Sequence, residues 1–326
     1  MSHDVPVIPM SGNQPQAHPN QTGSVDSRAA DRLQRRVRII NNMKRIKHKF
    51  IVASGKGGVG KSTVAANLAA SLAASGHTVG LLDMDLTGPN IPTMMGMRGA
   101  GIQENEDGFL APVPVPGTPN LRVVSMQFLL QEADQAVVWR GPIKMQVIGQ
   151  FLGDVAWGDM DYLVVDLPPG SSDEPLSVAQ NIPDADGMIL VTTPQEVAVG
   201  DVRKSIHFAE KLEMPVLGVI ENMAGLHVTG TTSPGVMVEL DTGVRTVQVR
   251  ADDDGRFDVV LDVFEPGGGQ AMAEAFGIPF LGRIPLDPRV GRGGDSGAPF
   301  VLDDAPSATK DAFAAIVAKL TASGSQ

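Results

Sequence analysis

The stretch Ser54-Gly55-Lys56-Gly57-Gly58-Val59-Gly60-Lys61-Ser62-Thr63 constrains the fold more than any other part of the chain. Its core, Gly55 to Ser62, satisfies G-x-x-x-x-G-K-[ST]. It follows an apolar run, "KFIVAS", that reads as a buried strand, and it opens an alanine-rich run, "KSTVAANLAASLAAS", that reads as a helix. A strand, a glycine loop and a helix in that order make a phosphate cradle. The glycines let backbone N–H groups turn inward, and the helix N-terminus adds partial positive charge. Lys61 then reaches the β- and γ-phosphates of a nucleotide such as ATP, and the Ser62 hydroxyl reaches Mg²⁺.

The runs that follow keep the same alternation. "TVGLLDMD", "LRVVSM", "DYLVVDLPPG", "GMILVTT", "PVLGVIEN" and "PFLGRIPL" read as strands. "VAVGDVRKSIHFAEKL" and "GGGQAMAEAFG" read as helices. Apolar strands alternating with helices predict an α/β fold, a doubly wound and mostly parallel sheet covered on both faces. Residues 227–265 break the rhythm. Period-2 alternation in "GVMVELD", "VRTVQVR" and "RFDVVLDV", separated by "DTG" and "DDDG", predicts a small inserted antiparallel meander. The domain organisation expected is a disordered tail over 1–27, a basic lead-in helix over 28–49, and one domain over 50–326 carrying the 227–265 insert.

Composition excludes several function classes. With no cysteine among 326 residues, disulfides, thiolate nucleophiles and cysteine-held zinc or clusters are ruled out. No apolar run is long enough to span a membrane, and the polar first residues lack a secretory core, so the chain is read as cytoplasmic. Net charge is −11, unevenly spread: residues 28–49 hold nine Lys/Arg against one Asp, while residues 50–326 hold 17 basic and 34 acidic groups. That acidic body argues against nucleic acid or anionic lipid as partner.

Three acids accompany the loop. Asp166 ends "YLVVD" before the stiff turn "LPPG", where a carboxylate holds Mg²⁺ and the turn senses the γ-phosphate. Asp83 and Asp85 end the second strand, expected beside the loop; one assists the metal and the other orients water. Lys56 is the unusual member. A lysine this early in the loop cannot serve its own γ-phosphate while pointing away, but it can reach a partner's nucleotide across a dimer, like an arginine finger given in trans.

"KGGVGKS" resembles the deviant Walker A ATPases, the group of MinD/ParA, the nitrogenase iron protein and Mrp/ApbC. "DMDLTGPNIPTMMG", "WRGPIK", "DYLVVDLPPGSSDEPLS", "VTTPQEVAVGDVRKSI", "GVIENMAG" and "FLGRIPLDPRVGRGGDSGAPFV" are similar to the Mrp/ApbC iron–sulfur carrier ATPases over about residues 40–326, apart from the insert. The resemblance implies an ATP-hydrolysing homodimer that serves iron–sulfur assembly proteins or apoprotein clients. It makes Lys56 the signature lysine, Asp85 the switch I aspartate and Asp166 the Walker B aspartate. It sets Asn222 and the "RIPLD" strand, with Pro285, beside the adenine. The family's Cys-x-x-Cys after the "NM-G" turn, which holds a bridging [4Fe–4S] cluster in a dimer, is missing: His227 and the insert stand there. His227 and the acids of "ADDDG" are the substitutes on offer, and surface turn acids are the expectation for the latter. The other functions considered are an ATP-set dimerisation switch or scaffold without a cluster, and a MinD/ParA-like positioning ATPase.

Overall fold

The computed structural model describes residues 23–85, 88–129, 141–170, 173–264 and 267–323. Most of the expected tail (1–22) and Trp139-Arg140 of "WRGPIK" lie outside the described residues. The first half of the chain gives α1 (Gly23–Met43), β1 (Ile46–Ala53), α2 (Lys61–Ala74), β2 (Val79–Asp83), α3 (Ile91–Met94), β3 (Gln103–Glu104), β4 (Leu110–Ala111), β5 (Val113–Val115), β6 (Thr118–Ser125), α4 (Gly141–Gly153) and β7 (Met160–Asp166). The second half gives α5 (Asp173–Gln180), β8 (Gly187–Thr192), α6 (Glu196–Lys211), β9 (Val216–Thr231), β10 (Met237–Asp241), β11 (Thr246–Arg250), β12 (Arg256–Leu261), α7 (Gly268–Phe276), β13 (Phe280–Leu286), α8 (Pro288–Ser296) and α9 (Ala308–Ser323).

Nine strands form one sheet in the order β12-β9-β8-β1-β7-β2-β6-β5, with β13 also paired to β9. All pairings are parallel except β5 with β6 and β12 with β9. The interior strands are apolar on both faces because both faces are covered. One face buries Ile51, Leu82, Leu163 and Val165 against α1, α4, α5, α6 and α7. The other buries Val52, Leu81, Val164 and Ile189 against α2, α3 and α9. This is the doubly wound sheet the alternation predicts. Helix α9 is not a free amphipathic tail: Phe313, Ile316, Val317 and Leu320 are buried in that second core.

Two boundaries differ from expectation. The lead-in helix starts at Gly23 and so takes in residues 23–27, expected to be disordered. The nearest upstream proline is Pro19, so nothing stops the helix from propagating back to Gly23. It ends at Met43 rather than at 49, because Ile46 to Lys49 pair in register with Met160 to Leu163 on β7 and belong to the sheet. The 227–265 insert is antiparallel as expected, but it grows out of β9. That strand runs 16 residues; its far end, Leu226 to Thr231, pairs back with β12, and β10 and β11 form a separate hairpin. Val238, Leu240, Val247 and Val249 make the hairpin's half-buried side, and the opposite side is exposed.

Gly80 fixes how β2 sits. A Cβ there would lie 2.7 Å from the ring of Trp157 and 2.9 Å from Leu163. Trp157 is fully buried against that gap, and β2 ends at Asp83, three residues on, with Asp85 in the loop that follows. Gly80→Val is expected to cost about 3 kcal/mol by overpacking a site that cannot yield, read as a lower denaturation midpoint. Unchanged stability would show that Trp157 is not held there.

Candidate functional site

The loop between β1 and α2 combines left-handed backbone with close packing. Gly58 and Gly60 have φ of 79° and 78°, a region where a side chain is strained. A Cβ on Gly57 or Gly58 would meet nothing within 4 Å, whereas one on Gly55 would lie 2.3 Å from the Asp201 carbonyl and one on Gly60 2.3 Å from the Asn222 amide. So the middle of the loop faces open space of the kind a phosphate fills, while its ends are pressed against the body. Asn222 Nδ2 donates to the Val59 carbonyl at 2.9 Å, and Ser54 Oγ donates to the Lys56 carbonyl at 2.9 Å. Asn222, expected at the adenine, therefore braces the loop from behind, and Pro285 is buried one strand over, next to Ile284, which pairs with Asn222. Lys56 is half-buried, with no hydrogen bond or ion pair from its ammonium among the described residues. Thr63 lies half-buried in the first turn of α2, and its carbonyl accepts from Asn67 Nδ2 at 2.9 Å.

At the mouth of the loop Lys61 Nζ donates to Asp166 Oδ1 at 2.6 Å and Ser62 Oγ donates to Asp166 Oδ2 at 2.6 Å. Asp166 is fully buried. Burial pushes its carboxyl above the ordinary range, although the Lys61 charge and the bonds from Lys61 and Ser62 pull it down. The second strand was expected beside the loop, but β7 lies between β1 and β2. Asp166 consequently touches the loop, and Asp83 sits one strand further out, in register with it. Burial and the Asp166 charge push Asp83 up to about 7, against bonds from Ser125 and the Asp85 N–H. Asp85 is half-buried and accepts from the Gly88 N–H at 3.1 Å. These residues fit a magnesium nucleotide: an open glycine cradle, an ammonium, a hydroxyl and a carboxylate share one mouth.

Sequence reasoning missed two further polar residues beside this edge. Ser125 Oγ donates to Asp83 Oδ2 at 2.9 Å. Glu221, fully buried, accepts from Arg283 Nε at 2.9 Å and from the Gly269 N–H at 2.7 Å, which ties β9 to β13 and to the start of α7. The signal available was a lone acid inside the apolar run "PVLGVIEN".

His227 is no open metal ligand. Its Nδ1 lies 3.1 Å from Asp287 Oδ2 and its Nε2 2.7 Å from Asp258 Oδ1. Asp287 caps α8 through the Arg289 N–H at 2.9 Å and takes Arg289 Nε at 3.0 Å and Nη2 at 2.8 Å. One carboxylate thus joins the β9 extension to α8, and through Thr309 at 3.3 Å to α9. The "ADDDG" acids are exposed and form a turn, with Asp252 accepting from the Asp254 and Arg256 N–H groups. Among the described residues no group of three or more His, Cys, Asp or Glu is placed to hold a metal ion. Met95 and Met97 are buried core and His77 packs edge-on to Tyr162, both packing roles.

A family model described as ParA, NUBPL iron-transfer P-loop NTPase, matches residues 45–246 and 256–321. The chain is 41% identical over 309 residues to an iron-sulfur cluster carrier protein of Saccharolobus solfataricus, covering 94% of this chain and 93% of that one. It is 45% identical to a cytosolic Fe-S cluster assembly factor NUBP2 homolog of Culex quinquefasciatus, covering 76% and 86%. Among solved structures, a nucleotide-binding protein of Archaeoglobus fulgidus in complex with ADP superposes with a TM-score of 0.64 at 33% identity, covering 83% and 94%. The cell division ATPase MinD of Pyrococcus furiosus shares the fold, at a TM-score of 0.57 and 22% identity, covering 84% and 98%.

The Asp287 node gives a pH prediction. Burial alone would raise its carboxyl, but the bonds from Arg289 and His227 outweigh that and hold it at about 2. A depressed folded-state value contributes stability above the ordinary carboxylate range and loses it as pH falls toward 2; the contribution is about 2 kcal/mol. Asp287→Asn should therefore be less stable than wild type at neutral pH, and the gap should narrow between about pH 4 and 2. A gap constant with pH in denaturation curves would remove Asp287 from this role.

Proposed function

Because the chain belongs to the NUBPL iron-transfer P-loop NTPase family, we propose that it is a Mg²⁺-dependent ATPase that works as a homodimer in iron–sulfur cluster assembly, without itself holding the cluster. One observation carries the nucleotide chemistry: a buried carboxylate bonded at 2.6 Å to both the loop lysine and the loop serine. Lys61 offers the γ-phosphate its charge, Ser62 and Asp166 offer oxygen to a magnesium ion, and the N-terminus of α2 offers N–H groups to the β-phosphate. Mg²⁺ bound there neutralises charge developing on the phosphates. Asp85 orients the attacking water, and Lys56, whose ammonium has no partner among the described residues, is available to a partner's site. With no cysteine, a cluster handled as cargo takes its thiolates from a client or a second protein. The buried apolar face of α9 speaks against a membrane-positioning role.

Lys61→Ala should abolish ATP binding in calorimetry; wild-type affinity would remove the site assignment. Lys56→Ala should retain ATP affinity and lose turnover by about 10³-fold, as a finger-type contact does. Asp85→Ala should also stop turnover. Mixing those two inactive variants should restore about half of wild-type turnover per heterodimer, since one of its two sites keeps its own Asp85 and receives an intact Lys56. Heterodimers that form but stay inactive would place Lys56 in its own site or in a structural role. Anaerobic reconstitution with iron and sulfide should leave the isolated protein without stoichiometric cluster. A [4Fe–4S] Mössbauer signature in the isolated protein would refute the reading that this chain does not itself hold the cluster.

A further inference from the structure

We propose that Ser125 is a positioning residue of the nucleotide site, acting through Asp83 on the loop that carries Asp85. This rests on the ATPase reading above and adds a residue to it. Ser125, Asp83 and Asp166 stand side by side in register on β6, β2 and β7, all three at 0% exposure. The row runs along the end of the sheet that bears the glycine loop.

The hydrogen bonds give the row a direction. Ser125 Oγ accepts from the Gln127 N–H at 3.2 Å, and its own hydrogen goes to Asp83 Oδ2 at 2.9 Å. Asp83 Oδ1 accepts from the Asp85 N–H at 3.1 Å. Each oxygen of Asp83 is therefore held by a neighbour on β6 or in the Asp85 loop, while the oxygens of Asp166 are held by Lys61 and Ser62. Two carboxylates side by side in a dry edge repel unless each is turned toward its own donors. Ser125 holds Asp83 Oδ2 on the β6 side, offsetting part of that repulsion. So oriented, Asp83 presents Oδ1 to the Asp85 N–H and fixes the backbone from which the Asp85 side chain projects.

Without the hydroxyl, one oxygen of the fully buried Asp83 carboxyl loses its donor, and an orphaned buried acceptor is costly. Asp83 then relieves the loss by rotating, and rotation releases the Asp85 N–H. Water orientation suffers first, because a displacement of about 1 Å in a positioned group is enough to cost about 10²-fold in rate. Nucleotide affinity, which rests on the glycine loop and Lys61, is left nearly intact.

The test compares Ser125→Ala with Ser125→Thr, which keeps a hydroxyl, and with Ser125→Cys, a near-isosteric weak donor, should the threonine methyl not fit. Ser125→Ala should lower kcat by about 10- to 100-fold with KM for ATP within about threefold, the signature of an interaction that matters in the transition state. In the nucleotide-free protein the Asp85 amide should exchange with deuterium at least about tenfold faster, while exchange in α2 is unchanged. Threonine or cysteine should recover part of both. Wild-type kcat with an unchanged Asp85 amide would overturn the proposal. So would a kcat loss that tracks a lowered melting temperature while the Asp85 amide stays protected, since that is a structural role. If wild type proves not to hydrolyse ATP, the ATPase reading fails on its own, and the amide exchange still decides what Ser125 does.

Discussion

The contact between Lys61 and Asp166 is the one on which the rest of the site depends. It is 2.6 Å long with the carboxylate fully buried and the lysine nearly so. Removing one partner of such a pair strands the other charge, at a cost of about 3–5 kcal/mol. The pair exists because β7 lies directly against β1, so the carboxylate at the end of one strand faces the loop that leaves the other. On the function proposed above, a phosphate entering the loop competes with Asp166 for the same ammonium, so nucleotide binding is an exchange of partners at Lys61.

Much of this was legible in the sequence, for identifiable reasons. The glycine loop announces itself because only glycine tolerates the left-handed turns at Gly58 and Gly60, and because a lysine and a hydroxyl follow at fixed spacing. The sheet was legible because strands buried on both faces leave unbroken apolar runs. What the sequence hid was lateral order. Nothing in "TVGLLDMD" says that "DYLVVD" inserts between it and "KFIVAS", so Asp83 reads as a loop neighbour when it is one strand removed. Ser125 was invisible for the same cause: its importance comes from the strand beside it. The amide of Asn222 on the Val59 carbonyl likewise joins residues 163 positions apart.

The insert shows a different limit. Alternation correctly marked the strands of 227–265 as antiparallel, since period 2 survives any arrangement of partners. It could not show that β9 passes without a break from the parallel sheet into that ribbon. The join is made at Met223, with φ of 57°, and Gly225, with φ of 94°. A non-glycine residue in that region stores strain of about 1 kcal/mol or more, held in place by the paired strands on either side. His227 follows two residues later, clamped by Asp258 on β12 and Asp287 at the head of α8.

That clamp bears on the missing thiolates. A segment that presents ligands to a cluster needs side chains turned outward and free of other partners. From Leu226 to Thr231 the backbone is committed to a ladder with β12. Its one potential ligand, His227, is buried and has a partner at each ring nitrogen. A cysteine in place of His227 would therefore sit in the same buried position between β12 and the head of α8. Where the family it resembles presents ligands on a turn, this chain carries a paired ribbon, and on the function proposed above any cluster is held by what the chain binds.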